Sequence, residues 1–423
     1  MSEIMDRIIE ENSRENRRTL IGGMFSRVRQ YDVTALEVRG RQIRVTPDHW
    51  VTDFASCNYL GLDLDPEMTA TVAESIDRWG VHPSWCRLVA SPELYVELEE
   101  RLAKLVGTEA ALILPTVTLI SIGVIPALVG KNGVLLLDKS GHETMYEAAK
   151  IARDNGATLA SFVQGDLDRL ATLLDQHRAN PRKVILVDGV YSMTGDHADL
   201  HELLRLAAEY HAVVYVDDAH GFGVVGENPS TATPFGQRGN GIVRHLGLDY
   251  DNVLYVGGCS KAYSSLAAFV ACSKKMQTFI KTFATPYDLS GPSPTASLAT
   301  LWSGLDINDS RGDVLRERLW KLTDHAARGI RELGYRIDNR TGFPILSVEI
   351  GDPDMLATAA NHLFDAGILV TTCPYPMVAR GQDVLRLTLT AANTDAEVDH
   401  LIAAFSGLRE LLGGNITADA LPA

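Results

Sequence analysis

Cysteine is scarce in this 423-residue chain, which holds only Cys57, Cys86, Cys259, Cys272 and Cys373, widely spaced and with no C-x-x-C. An odd count without paired spacing argues against a disulfide framework or a zinc site and for a reducing, cytoplasmic setting. Basic charge is also short: 39 Lys and Arg stand against 54 Asp and Glu, a net charge of −15. That balance argues against a general nucleic-acid binder or a binder of anionic membranes, while leaving room for a local phosphate pocket. Internal repeats and low-complexity tracts are missing, and the opening MSEIMDRIIEENSRENRR has no apolar signal core. A long unbroken apolar run is missing too. The nearest one, AALILPTVTLISIGVIPALVG (110–130), is interrupted by Pro115, Thr116, Thr118, Ser121 and Pro126. It reads as a buried core segment with no membrane span.

What remains is a chain with enough apolar residues, 46%, to build a sizeable core in two or three lobes. Ile4, Ile8 and Ile9 recur at helical spacing, and residues 33–54 alternate like short strands. From about residue 97 the pattern changes to short β-branched runs between helical stretches. The runs are VLLLD (134–138), KVILVD (183–188), AVVYVDD (212–218) and NVLYVGG (252–258). Alternation of this kind predicts an α/β domain with a mainly parallel sheet. Each run ends in polar or glycine residues, and ligand sites in such sheets lie at the carboxyl ends of strands. PILSVEI (344–350), GILVTT (367–372) and VLRLTLT (384–390) suggest a smaller C-terminal α/β lobe. The expected division is residues 1–58 (helix and short strands), 59–300 (large domain) and 301–423 (small domain).

Two places carry chemistry. VVYVDDAHG puts Asp217, Asp218 and His220 at a strand end, a pattern open to a helix cap, a metal ligand or a triad. Lys261, 44 residues after Asp217, follows the apolar strand NVLYVGG and small residues. A lysine there is partly desolvated, so its neutral amine becomes available for a Schiff base.

VDDAHGFGVVG, then SKA, then LRLTLTAANTDAEVD, resembles the α-oxoamine synthase family of fold-type I pyridoxal-phosphate enzymes. SCNYLGL, ELEERLAKLVGTEAALI, LDKSGHETMYEAAK and DGVYSMTGDHADL extend the likeness over most of the chain. The resemblance implies a large domain with a mainly parallel sheet, a smaller C-terminal domain and bound pyridoxal phosphate. It implies that Lys261 forms the Schiff base and that Asp217 pairs with the ring nitrogen. His142 would stack on the ring, His220 would bond its phenolic oxygen, and Ser192 would lie near both that oxygen and the acyl substrate. Thr116, Val117, Thr118 and Ser260 would serve the phosphate. Arg386 would grip the amino-acid carboxylate, its planar fork suited to that group. Asn58 and Arg87 would add substrate contacts.

The implied reaction is a decarboxylative condensation of an amino acid with an acyl thioester, on coenzyme A or an acyl carrier protein, giving an α-amino ketone. The implied assembly is a homodimer with the active site at its interface. An aminotransferase and a non-catalytic subunit on the same fold are the alternatives. The chain departs from the family pattern at several points. Gly258 stands where relatives have a threonine, and Thr116-Val117-Thr118 where they have a Ser-Gly-aromatic turn. HPSWCRLVA, with His82 and Trp85, replaces a Gly-rich segment, and Tyr95 and Asn393 replace histidines. Ser290 lies roughly where relatives supply a phosphate contact across the dimer. These changes point to an altered substrate with the cofactor retained.

Overall fold

The computed structural model describes residues 3–15 and 19–413. The chain forms two units, Met1–Ser56 together with Lys321–Ala423, and Cys57–Trp320. The N-terminal segment joins the C-terminal one for a direct reason: strands far apart in sequence pair. β1 (Glu37–Arg39), β2 (Gln42–Thr46) and β3 (His49–Asp53) form an antiparallel ribbon.

The larger unit is built on seven strands: β4 (Ala110–Leu114), β5 (Val134–Asp138), β6 (Thr158–Phe162), β7 (Lys183–Asp188), β8 (Val213–Asp218), β9 (Val253–Gly258) and β10 (Ala268–Cys272). Their order is β4-β10-β9-β8-β7-β5-β6. β9, β8, β7, β5 and β6 run parallel, while β10 is antiparallel to both of its neighbours. The four runs read from the sequence are β5, β7, β8 and β9. Every residue of β4, β5, β7, β9 and β10 is buried. Strands covered on both faces read as continuous apolar runs without alternation, which is the pattern seen.

The interrupted apolar run splits as its breakers dictate. β4 ends at Leu114, and Thr116 takes an extended backbone and accepts a hydrogen bond from Leu119 N at 3.1 Å. A helix, Val117–Val129, follows and ends at Gly130, whose φ is +59°. Ile120, Val124, Ile125 and Val129 are buried in the core beneath it. Each such side chain contributes roughly 1.5–3 kcal/mol. Among the described residues, no helix is long and apolar enough to cross a membrane.

In the smaller unit, β11 (Ile345–Gly351), β12 (Ile368–Leu369), β13 (Thr371–Cys373) and β14 (Asp383–Thr388) complete the strands. β12 adds in parallel to β3, with Ile368 opposite Thr52. β11, β14 and β13 form a separate antiparallel sheet. The opening helix, Glu3–Glu15, forms as its spacing predicts, and Ile4, Ile8 and Ile9 on it are exposed.

Candidate active site

Asp217 and Asp218 end β8, and successive residues of a strand point to opposite faces. Asp217 lines a cavity of about 240 Å3. Asp218 serves the fold: its Oδ2 accepts from Ile242 N and from the Tyr255 hydroxyl, both at 2.8 Å. Burial pushes the Asp218 carboxyl up to about 7. A Cβ at Gly221 would fall 2.1 Å from Asp218 Oδ1, which explains the glycine after His220. On the cavity side, Asp217 is buried and accepts from Ala219 N at 3.2 Å. Burial raises its pKa, and the nearby charges of Lys261 and His142 oppose that rise.

Lys261 lies on the loop joining β9 to β10, closed by Cys259 N donating to Ala267 O at 2.9 Å and Ser265 N to Cys259 O at 3.1 Å. The same cavity is lined by Lys261, Ser260, His142, His220, Thr116, Val117 and Thr118. His142 also caps the helix Glu143–Asp154, its Nδ1 accepting from Thr144 N at 3.3 Å. Its pKa is lowered, chiefly by burial, with Asp217 pulling the other way. His220 Nδ1 lies 2.6 Å from the buried hydroxyl of Tyr59.

Gly258 ends β9 beside this cavity. A side chain there would meet Ala219 Cα and Cβ at 3.2 Å and Val117 Cγ2 at 3.3 Å. A threonine at 258 would therefore crowd both Ala219 and Val117.

The remaining expected residues make the following contacts. Ser192 is not among the cavity-lining residues; it stands two residues after Val190, which is. Its loop is pinned by the Tyr191 hydroxyl on Asp138 Oδ2 at 2.6 Å. Asn58 Oδ1 accepts from Ser264 Oγ at 2.8 Å, three residues beyond Lys261. Arg386 is buried at the centre of β14, in the smaller unit, opposite Ser347 and Thr371.

Arg87, expected to contact substrate, sits in a buried cluster. Its guanidinium is buried, 2.6 Å from Glu99 Oε1, donates to Ile113 O at 2.8 Å and lies over the Tyr95 ring at 3.9 Å. Tyr95 is buried in turn, its hydroxyl accepting from Ser293 N. His82 reaches Pro292 O, Ser290 bonds Gly291 O, and Trp85 is exposed. Asn393 Oδ1 closes a turn on Thr390 N after β14.

Asp188, Thr144, Val190 and Ala219 also line the cavity, and no role was assigned to them from sequence. Asp188 Oδ1 accepts from His142 N at 3.1 Å, and burial raises its pKa well above the carboxylate norm. Its signal was its place at the end of an apolar strand, as for Asp217.

A family model for aminotransferase class I and II matches residues 51–405. The chain is 35% identical over 368 residues to the 8-amino-7-oxononanoate synthase of Alkalilimnicola ehrlichii, over 86% of this chain and 88% of that one. It is 32% identical over 361 residues to the enzyme of that name from Geobacter sulfurreducens, over 85% and 88%. Its fold is similar to that of the Sphingomonas wittichii serine palmitoyltransferase, with a TM-score of 0.86 at 24% identity over 97% of this chain and 98% of that one. The chain belongs to the aminotransferase class I and II family of pyridoxal-phosphate-dependent enzymes, in its α-oxoamine synthase branch.

Proposed function

We propose that this chain condenses an amino acid with an acyl thioester, with loss of carbon dioxide, to give an α-amino ketone. The observation that carries this reading is the single cavity that Lys261, the buried Asp217, His142 and His220 line together. These residues fit pyridoxal phosphate. Lys261 offers an amine for covalent attachment, and Asp217 a buried carboxylate for a protonated ring nitrogen. The hydroxyls of Thr116, Thr118 and Ser260, beside the start of the helix Val117–Val129, suit a phosphate. When bound, the cofactor supplies an electron sink for a carbanion at the amino acid's α-carbon.

The chain's own residues do the rest. The Asp217 charge holds the proton on the ring nitrogen. The His142 ring offers a flat face for stacking. His220 would donate a hydrogen bond to the phenolic oxygen, and Ser192, in the loop after β7, would approach the same oxygen. Arg386 would hold the substrate carboxylate and so orient the α-carbon, and Asn58 would add a substrate contact. The Lys261 amine removes the α-proton and later returns one. A carbon–carbon bond forms between the α-carbon and the acyl carbon, the thiol leaves, and the bond to the carboxylate breaks as carbon dioxide departs.

The working assembly in this proposal is a cytoplasmic homodimer with the site at its interface, taking its acyl group from coenzyme A or an acyl carrier protein. Five free thiols and the exposed Val81, Trp85, Leu88 and Val89 support that part. The test is to supply the purified protein and its Lys261→Ala variant with pyridoxal phosphate, an acyl-CoA and a panel of amino acids. Native protein is expected to release thiol and carbon dioxide in equal amounts with one amino acid, and the variant neither. Keto-acid formation without thiol release would point to transamination. A protein that never takes up the cofactor would overturn the proposal.

A further inference from the structure

The segment from Cys57 to Leu62 crosses two loops of the site at once. Its backbone is tightly turned, with Tyr59 N donating to Cys57 O and Gly61 N to Asn58 O, each at 2.9 Å. Asn58 meets the lysine loop at Ser264, and the next residue, Tyr59, meets the aspartate loop at His220. The Tyr59 side chain is fully buried and His220 is 7% exposed, so water does not compete effectively for their contact. The two rings meet edge on, with centroids 6.0 Å apart and planes at 65°.

We infer that Tyr59 is a positioning residue that sets the tautomer of His220. This rests on the reading of His220 as a contact to the cofactor's phenolic oxygen. A neutral imidazole has one nitrogen that donates and one that accepts, and a neighbouring partner decides which is which. A phenol at neutral pH carries its proton and is the natural donor to Nδ1 at 2.6 Å. The ring proton then sits on Nε2. His220 therefore presents a donor to an oxygen in the cavity, where the other tautomer would present a lone pair and repel it. Tyr59 does not line the cavity, so in this reading its effect on the cofactor passes through the histidine.

The first measurement is the side-chain 15N spectrum of histidine-labelled protein, without and with pyridoxal phosphate. Native His220 is expected to show the proton on Nε2 in both. Tyr59→Phe, which keeps the ring and its packing, is expected to shift His220 toward a mixture of tautomers. The same variant is expected to weaken cofactor affinity by about tenfold and to move the absorption maximum of the bound cofactor. In a His220→Gln background the amide supplies its own donor, so Tyr59→Phe should then change neither quantity. A proton on Nδ1 in the native protein, or an equal Tyr59→Phe effect in both backgrounds, would overturn the inference. If no cofactor binds at all, the proposed function fails, while the spectrum of the protein alone still decides the role of Tyr59.

Discussion

Asp188 and Asp217 stand opposite one another on adjacent parallel strands, paired in register at the ends of β7 and β8. Both line the cavity, and Asp217 adds to the burial that already makes Asp188 costly to ionise. Their tasks differ. Asp188 holds the His142 backbone, while Asp217 looks toward Lys261. Asn at 188 keeps the acceptor for His142 N, whereas Asn at 217 keeps the shape and loses the charge. Asp217→Asn is therefore expected to lower kcat/KM by about a hundredfold or more, and Asp188→Asn by less than about tenfold. Steady-state kinetics on both variants checks the contrast.

Gly258 and Val117 are predicted to behave as a pair. Gly258→Thr alone brings new atoms against Ala219 and Val117, and overpacking of this kind costs about 1–3 kcal/mol. Val117→Ala in the same chain removes the methyl in the way and should recover part of that loss. Urea unfolding of the single and double variants measures the coupling. Additive effects would show that the two positions are independent.

Arg87 offers a test between packing and substrate binding. Arg87→Met leaves Glu99 buried beside Ile113 N without its cation, at a cost of about 3–5 kcal/mol. Adding Glu99→Gln should recover much of it. A residue that bound substrate would instead raise KM and leave denaturant stability unchanged.

Asp218 sets a pH dependence of stability. Its folded pKa, about 7, lies above that of an aspartate in an unfolded chain, about 3.9. A raised carboxyl contributes stability that is fully present below the unfolded value and lost as pH rises through the folded one. Stability from this group should therefore fall between about pH 4 and pH 8, and Asp218→Asn should flatten that part of the profile. Thermal melts of the cofactor-free protein across that range test the sign.

Much of the central sheet was legible because strands buried on both faces cannot hide their composition. VLLLD, KVILVD and NVLYVGG have no solvent face to dilute them. Asp217 and Lys261 drew notice as charge at or just past the end of such a strand, but their roles came from the family resemblance, because the strand-end pattern alone left a helix cap, a metal ligand or a triad open. AFVAC, now β10, was too short and too plain to announce a strand that inserts antiparallel between two others. The pairing of β12 with β3 depends on residues more than 300 apart, which no local pattern records. Tyr59 was not singled out, and the partner of Arg87 was not foreseen, for a shared reason. A long polar side chain reads as exposed until its buried partner is known, and those partners, Glu99 and His220, are fixed only by the fold.

The antiparallel β10 has a geometric consequence. Because it opposes both neighbours, β4 and β9 point the same way, and both deliver their following turns to one edge of the sheet. Neighbouring strands are spaced by about 4.8 Å, so the threonine turn after β4 starts about 10 Å from the lysine strand, with Asp217 one strand further on. The sheet acts as a ruler laid under the cavity. Its graduations, set by backbone hydrogen bonds, space the strand ends from which the hydroxyls, the amine and the carboxylate reach the cavity.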